Sequence, residues 1–141
     1  MDTLPKKKKR YNHLTIDQSI ALLPTDFGNP LKLRGNIYTS SKGNLYFKGS
    51  KDYGYKNKTW WYSINPSLIK ENKIAFIILA ADKTGIFIIP VERFYAYRER
   101  HRVGAVQNGG EDFSILRVEG GYIRHESKCD DEDLTECFIA K

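Results

Sequence analysis

Residues 73–90 read KIAFIILAADKTGIFIIP, two almost uninterrupted apolar runs joined by five residues of turn chemistry. Isoleucine and phenylalanine dominate the runs, and neither run is long enough for a comfortable helix. Between them, Ala81, Asp82, Lys83, Thr84 and Gly85 supply the Asp and Gly that short hairpin loops favour. The spacing predicts a central β-hairpin. Phe76, Ile78 and Ala80 occupy one alternating face and Ala75, Ile77 and Leu79 the other, so both faces are apolar and both need cover. The rest of the chain is expected to pack around this hairpin.

At 141 residues the chain is long enough for one domain with a sizeable core and no need of disulfides or metals. Residues 11–141 are read as that single α+β domain and residues 1–10 as a disordered basic arm. No apolar run approaches the ~18 residues of a membrane span, and no signal peptide is evident. A soluble, cytoplasmic protein without a membrane partner is the expectation. PKKKKR, residues 5–10, resembles the short basic nuclear-import signals, which would imply a nuclear location in a eukaryotic host. Cys129 and Cys137 fall in a segment that reads as helical, where about 12 Å of rise would keep them apart as reduced thiols.

The net charge of +6 is unevenly spread. Residues 1–10 hold four lysines and an arginine against one aspartate, and residues 126–141 hold six acidic residues against two lysines. Residues 32–58 carry Lys32, Arg34, Lys42, Lys48, Lys51, Lys56 and Lys58 against Asp52 alone. A local concentration of this kind points to an anionic partner.

Thr15 and Gln18 form a capping-box pair, and Ile16, Ile20 and Leu23 recur at helical spacing until Pro24, predicting a helix over 15–23. Leu31 to Tyr38 alternates as a half-buried strand with a basic outer face, and Asn44 to Lys48 returns as a second. Residues 49–58 form a loop rich in Gly, Lys and Tyr, and residues 59–64, TWWYSI, form a strongly β-prone run ended by Asn65-Pro66. One helical turn is expected over 66–72 and a helix over 91–98, with Val91, Phe94, Tyr95 and Arg98 on one face. Residues 113–119 and 122–127 flank Gly120-Gly121 as a hairpin. LTECFIA, after the acidic Asp130–Asp133 run, reads as a short terminal helix. These elements predict an α+β fold built on a curved or barrel-like, mainly antiparallel β-sheet of about seven strands, with two or three short helices.

The region 32–62 interleaves its cations with Tyr38, Tyr46, Phe47, Tyr53, Tyr55, Trp60, Trp61 and Tyr62, a combination that neutralises phosphates and offers flat surfaces to bases. Trp60 and Trp61 must point to opposite faces of their strand, one into the core and one outward. The plain alternative is that these are ordinary sheet aromatics with lysines on the wet face. Arg93, Arg98, Arg100 and Arg102, with His101, make a second basic cluster suited to bidentate contacts with phosphates or guanine edges. Asp52 with Glu71, Asn72 and Lys73 resembles the Asp followed by Glu-x-Lys pattern of restriction-type nucleases, which would hold a divalent ion. His125, Cys129 and Cys137 lack the paired close ligands of a zinc site. No Gly-rich phosphate loop, nucleophile elbow or Cys/His arrangement appears, so no cofactor is expected and enzymatic activity is disfavoured.

TWWYSINP, followed by an apolar strand pair ending in FIIPVERF, resembles the specificity domains of bacterial restriction systems, including those of modified-cytosine-dependent restriction. The resemblance covers residues 44–95. It implies a β-rich pseudobarrel that reads duplex DNA. The expectation is a non-catalytic DNA-binding module, with RNA not excluded as a target, associated with a larger effector chain. Lys42, Lys48, Lys51, Lys56 and Lys58 would hold the backbone, Tyr53, Tyr55 and one of Trp60 or Trp61 would contact bases or sugar, and Arg98, Arg100 and Arg102 would form a second contact edge. The alternatives are a small metal-dependent nuclease using Asp52, Glu71 and Lys73, and a protein-interaction module whose basic face meets an acidic partner.

Overall fold

The computed structural model describes residues 13–50, 59–101 and 109–141. The first of these segments holds α1 (Ile16–Ile20), a 3-10 turn at Thr25–Phe27, and strands β1 (Leu31–Arg34), β2 (Ile37–Ser40) and β3 (Gly43–Gly49). The second holds β4 (Thr59–Ile64), α2 (Pro66–Glu71), β5 (Ile74–Ala81), β6 (Gly85–Pro90) and α3 (Val91–Arg100). The third holds β7 (Glu111–Val118), β8 (Gly121–Arg124), β9 (Glu132–Asp133), a 3-10 turn at Thr135–Cys137 and β10 (Phe138–Ala140). The fold is α+β and mostly antiparallel, as the sequence predicts. No helix among the described residues is long and apolar enough to cross a membrane.

The central hairpin forms with Ile78 opposite Ile88 and Ala81 opposite Gly85. Its turn is fixed by Asp82, which takes a left-handed φ of 42° while its Oδ1 accepts from Thr84 N at 3.1 Å. On one face Ile77, Leu79, Phe87 and Ile89 meet Trp60, Tyr62 and Ile64 of β4, Phe113 and Ile115 of β7, and Phe94 of α3. On the other, Leu45, Phe47, Ile78, Ala80 and Ile86 are covered by Leu14 and Phe27, with Ile16 and Ile20 of α1 packed alongside. Each such aliphatic or aromatic side chain contributes about 1.5–3 kcal/mol on burial. Two-sided burial is the expected consequence of two apolar faces.

The caps follow the sequence. Thr15 Oγ1 accepts from Gln18 N and Gln18 Oε1 from Thr15 N, closing the box that starts α1. Asn65 Oδ1 accepts from Ser67 N at 2.9 Å with Pro66 at the first helical position of α2.

Three expectations are corrected. The structure has ten strands among the described residues rather than seven, in two ladders that do not close into a barrel. One is six-stranded in the order β1-β2-β3-β5-β6-β10, and the other is four-stranded in the order β4-β7-β8-β9. The barrel is lost because β3 pairs with β5, its one parallel neighbour, which sends β4 to a separate sheet. The predicted strand Leu31–Tyr38 is broken at Gly35, whose φ is +52°, into β1 and β2, and its leucines are exposed because β1 is the outermost strand. The predicted terminal helix is a single 3-10 turn followed by β10, because Phe138–Ala140 completes the open edge of β6. Gly85 makes that pairing possible, since a Cβ there would lie 2.3 Å from Ile139 O. Cys129 and Cys137 therefore share no helix, and neither forms a disulfide.

Phe87 is fully buried and touches both sheets, so Phe87→Ala is expected to lower unfolding free energy by about 3–5 kcal/mol in chemical denaturation. Leu31→Ser, at the exposed edge, should change it by no more than about 0.5 kcal/mol. Equal losses would contradict this placement of the core.

Candidate nucleic-acid interface

Strand β4 alternates as its period-two pattern requires, with Trp60, Tyr62 and Ile64 buried and Trp61 47% exposed. Trp60 is the core member of the pair. Its indole N–H donates to Asp82 Oδ2 at 3.2 Å, and its ring lies 6.1 Å from Phe87. Tyr62 is also core, donating its hydroxyl to Ala80 O at 2.8 Å. Trp61 stands on the opposite face, and its backbone N–H donates to Ser50 Oγ at 3.1 Å. This bond ties the residue after β3 to β4, so Ser50 and Thr59, the described residues on either side of the Lys- and Tyr-containing stretch 51–58, both lie beside Trp61.

Trp61 lines a groove of about 390 Å³ with Thr59, Asp112, Ser114, Leu116, His125, Glu126 and Ser127. The register of β4 on β7 builds it, placing Thr59 opposite Leu116, Trp61 opposite Ser114 and Ser63 opposite Asp112. His125 N donates to Ser114 O at 3.0 Å, extending the row to the residue that follows β8. His125 Nδ1 lies 2.8 Å from Asp131 Oδ1. With Nδ1 engaged, Nε2 is the ring nitrogen left to meet a ligand.

A buried ion pair supports the groove from behind. Arg124 has no solvent exposure, and its guanidinium carbon lies 4.0 Å from the ring centroids of both Tyr97 and Phe113. Its Nε donates to Glu126 Oε2 at 2.9 Å and its Nη2 to Asp112 O at 3.0 Å, whereas Nη1 makes no hydrogen bond among the described residues. Glu126 Oε2 also accepts from Ser114 N at 2.8 Å. Burial raises the Glu126 carboxyl pKa, against the opposing pull of the Ser114 N–H and the Arg124 charge. The groove thus combines a flat indole with hydrogen-bond acceptors and hydroxyls. Its carboxylates repel phosphate, so an anionic polymer would set its backbone outside the groove and a base or sugar within it.

The remaining predicted contacts are dispersed. Lys42 lies 3.3 Å from Asp26 and over the rings of Phe27 and Phe76, lining a different groove of about 400 Å³. Lys48 is half-buried at a small cavity with His13 and Asn36, and desolvation lowers its pKa. Arg98 is not an open contact. Its Nε and Nη2 both donate to Glu111 at 2.8 Å, a bidentate pair that raises its pKa. Arg100 lies 6.0 Å from the Tyr97 ring. Arg93 is held by Glu132, Glu136 and the Asp133 carbonyl. Tyr46 and Phe47 are core residues. Lys51, Asp52, Tyr53, Tyr55, Lys56, Lys58 and Arg102 lie outside the described residues.

Glu71 ends α2 and Lys73 follows it with a left-handed φ of 50°. Among the described residues no group of three His, Cys, Asp or Glu side chains is placed to hold a metal ion. Sequence reasoning missed Asp112, Ser114, Glu126 and Asp131, and weighed His125 only as a zinc ligand. The polar residues Asp112 and Ser114 alternating with buried Phe113 and Ile115 were a visible signal for an outward row, but nothing local announces that β7 pairs with β4. Comparison with protein-family models, with curated proteins and with solved structures gives no match.

Glu126→Ala strands a buried guanidinium and is expected to cost about 3–5 kcal/mol, whereas Arg124→Met with Glu126→Gln should cost less than the two single changes together. The raised Glu126 pKa means that the folded state holds this proton more tightly than the unfolded chain. The stability it contributes is therefore full below the ordinary glutamate range and lost as pH climbs through the raised folded value. Relative to Glu126→Gln, wild type should lose stability across that window and then level off in pH-dependent thermal melts, and a gain with rising pH would contradict the assignment.

Proposed function

We propose that this chain is a nucleic-acid-binding recognition module, with DNA as its target and no catalytic role of its own. One observation carries the reading: the half-exposed indole of Trp61 lines a groove at the root of the stretch that holds Lys51, Tyr53, Tyr55, Lys56 and Lys58. Stacking on Trp61 supplies contact with a base face, and the lysines supply charge for the adjoining phosphates. Asp112, Glu126 and His125 add acceptors and a ring nitrogen for base edges or sugar hydroxyls. Arg100 and Arg102 remain as the second contact edge, because Arg98 is already committed to Glu111. A restriction-type specificity role rests on the resemblance carried by residues 44–95.

Fluorescence anisotropy with labelled duplex DNA, single-stranded DNA and RNA across a salt series tests this. Affinity should fall linearly with salt on logarithmic axes, and Lys51→Ala with Lys56→Ala should flatten the slope by about 2. Trp61→Ala should weaken binding by about 1–3 kcal/mol while leaving the slope nearly unchanged. No binding to any probe at about 50 mM salt, where phosphate contacts are strongest, would overturn the proposal.

A further inference from the structure

Among the described residues three large apolar side chains are exposed, Leu31, Leu33 and Trp61. Trp61 belongs to the groove on the four-stranded sheet. The two leucines belong to β1, the outermost strand of the other sheet, which is exposed along its whole length and, among the described residues, pairs only with β2. Such an edge presents backbone donors and acceptors to any strand that meets it. Lys32 and Arg34 interleave with the leucines, and Arg34 donates to Asn72 Oδ1.

Proteins guard edges with short strands, cations and bulges, and β1 has all three: four residues, two cations and a register shift at Leu33. A strand that served only as a guard gains nothing from leucine at both remaining positions, exposed 67% and 45%. We propose that β1 is a docking strand that accepts an extended segment of a partner protein in which aliphatic residues alternate with Asp or Glu. Main-chain bonds would give the affinity, and the leucines and cations the specificity, as in strand addition generally. A second copy of this chain fits less well, because two β1 strands side by side crowd four cations onto eight residues. The charge of the edge selects an acidic strand and rejects a basic one. This site is independent of the nucleic-acid reading, and it supplies the place at which a larger effector chain would attach.

The test uses the full chain and two synthetic hexapeptides, one alternating valine with glutamate and the other valine with lysine, read by hydrogen exchange of the 31–34 amides and by calorimetric titration. The acidic peptide should protect those amides and bind at least about tenfold tighter than the basic one, equivalent to ~1.4 kcal/mol. Leu31→Ser with Leu33→Ser, and separately Lys32→Glu, should each weaken it by about fivefold with thermal midpoints unchanged. Equal binding of both peptides, no protection at residues 31–34, or affinity that survives both substitutions would overturn the proposal. A concentration-dependent dimer in sedimentation that the leucine substitutions abolish would also overturn it, in favour of a second copy as the occupant. Because hydrogen exchange is read on the unmodified chain, a variant that failed to fold would still leave the proposal open to refutation.

Discussion

The structure depends on one constraint, the double-sided apolar hairpin of β5 and β6. A strand pair that is apolar on both faces has no wet side, so two layers must be found for it. The chain meets this demand with different material on each face. The four-stranded sheet and α3 close one side through Trp60, Tyr62, Phe94 and Phe113, and the segment from Leu14 to Phe27 closes the other. Leu14 N donates to Asp82 O at 2.9 Å and Trp60 Nε1 donates to Asp82 Oδ2, so both layers are fastened to the same turn residue. The candidate interface follows from this arrangement. Once Trp60 is needed inside, the strand's alternation leaves Trp61 outside.

Arg124 is a costly residue to place. A fully buried guanidinium requires compensation, and it receives a carboxylate, a backbone carbonyl and two aromatic faces. The same carboxylate, Glu126, fixes the Ser114 backbone and lines the groove. Rigidity at the back of the groove and chemistry at its front therefore come from one side chain. Tyr97 of α3 takes part in the packing, and burial pushes its phenol pKa far above the ordinary value, so it stays neutral beside Arg124.

Much of the fold was legible in local pattern. The hairpin, the Thr15–Gln18 capping box, the helix after Pro90 and the run TWWYSI each carry their own signal within a few residues, and each formed where that signal lies. What the sequence hid is what depends on partners far along the chain. Nothing in LTECFIA says that β6 has an edge to fill, and that edge outweighed the modest helical pattern. The alternation of Leu31 to Tyr38 looked half-buried because periodicity reports which residues share a face, not whether another layer lies over it. The site was half legible for the same reason. The Lys–Tyr stretch and the Trp pair stand together in sequence, whereas Asp112, Ser114, His125 and Glu126 join Trp61 only through a pairing across about fifty residues. The pairing of Arg98 with Glu111 was hidden as well, because a count of cations does not reveal which of them already hold a carboxylate.

The measurement that tests the account most directly is a titration of intrinsic tryptophan fluorescence with unlabelled DNA, run in parallel on wild type and Trp61→Phe. The chain has two tryptophans, one sealed in the core at 4% exposure and one lining the groove. If the groove receives a base, wild-type emission should be quenched saturably while the Trp61→Phe protein, reporting only Trp60, stays nearly constant. Saturable binding that leaves Trp61 emission untouched, or equal quenching in both proteins, would contradict the placement of the interface at Trp61.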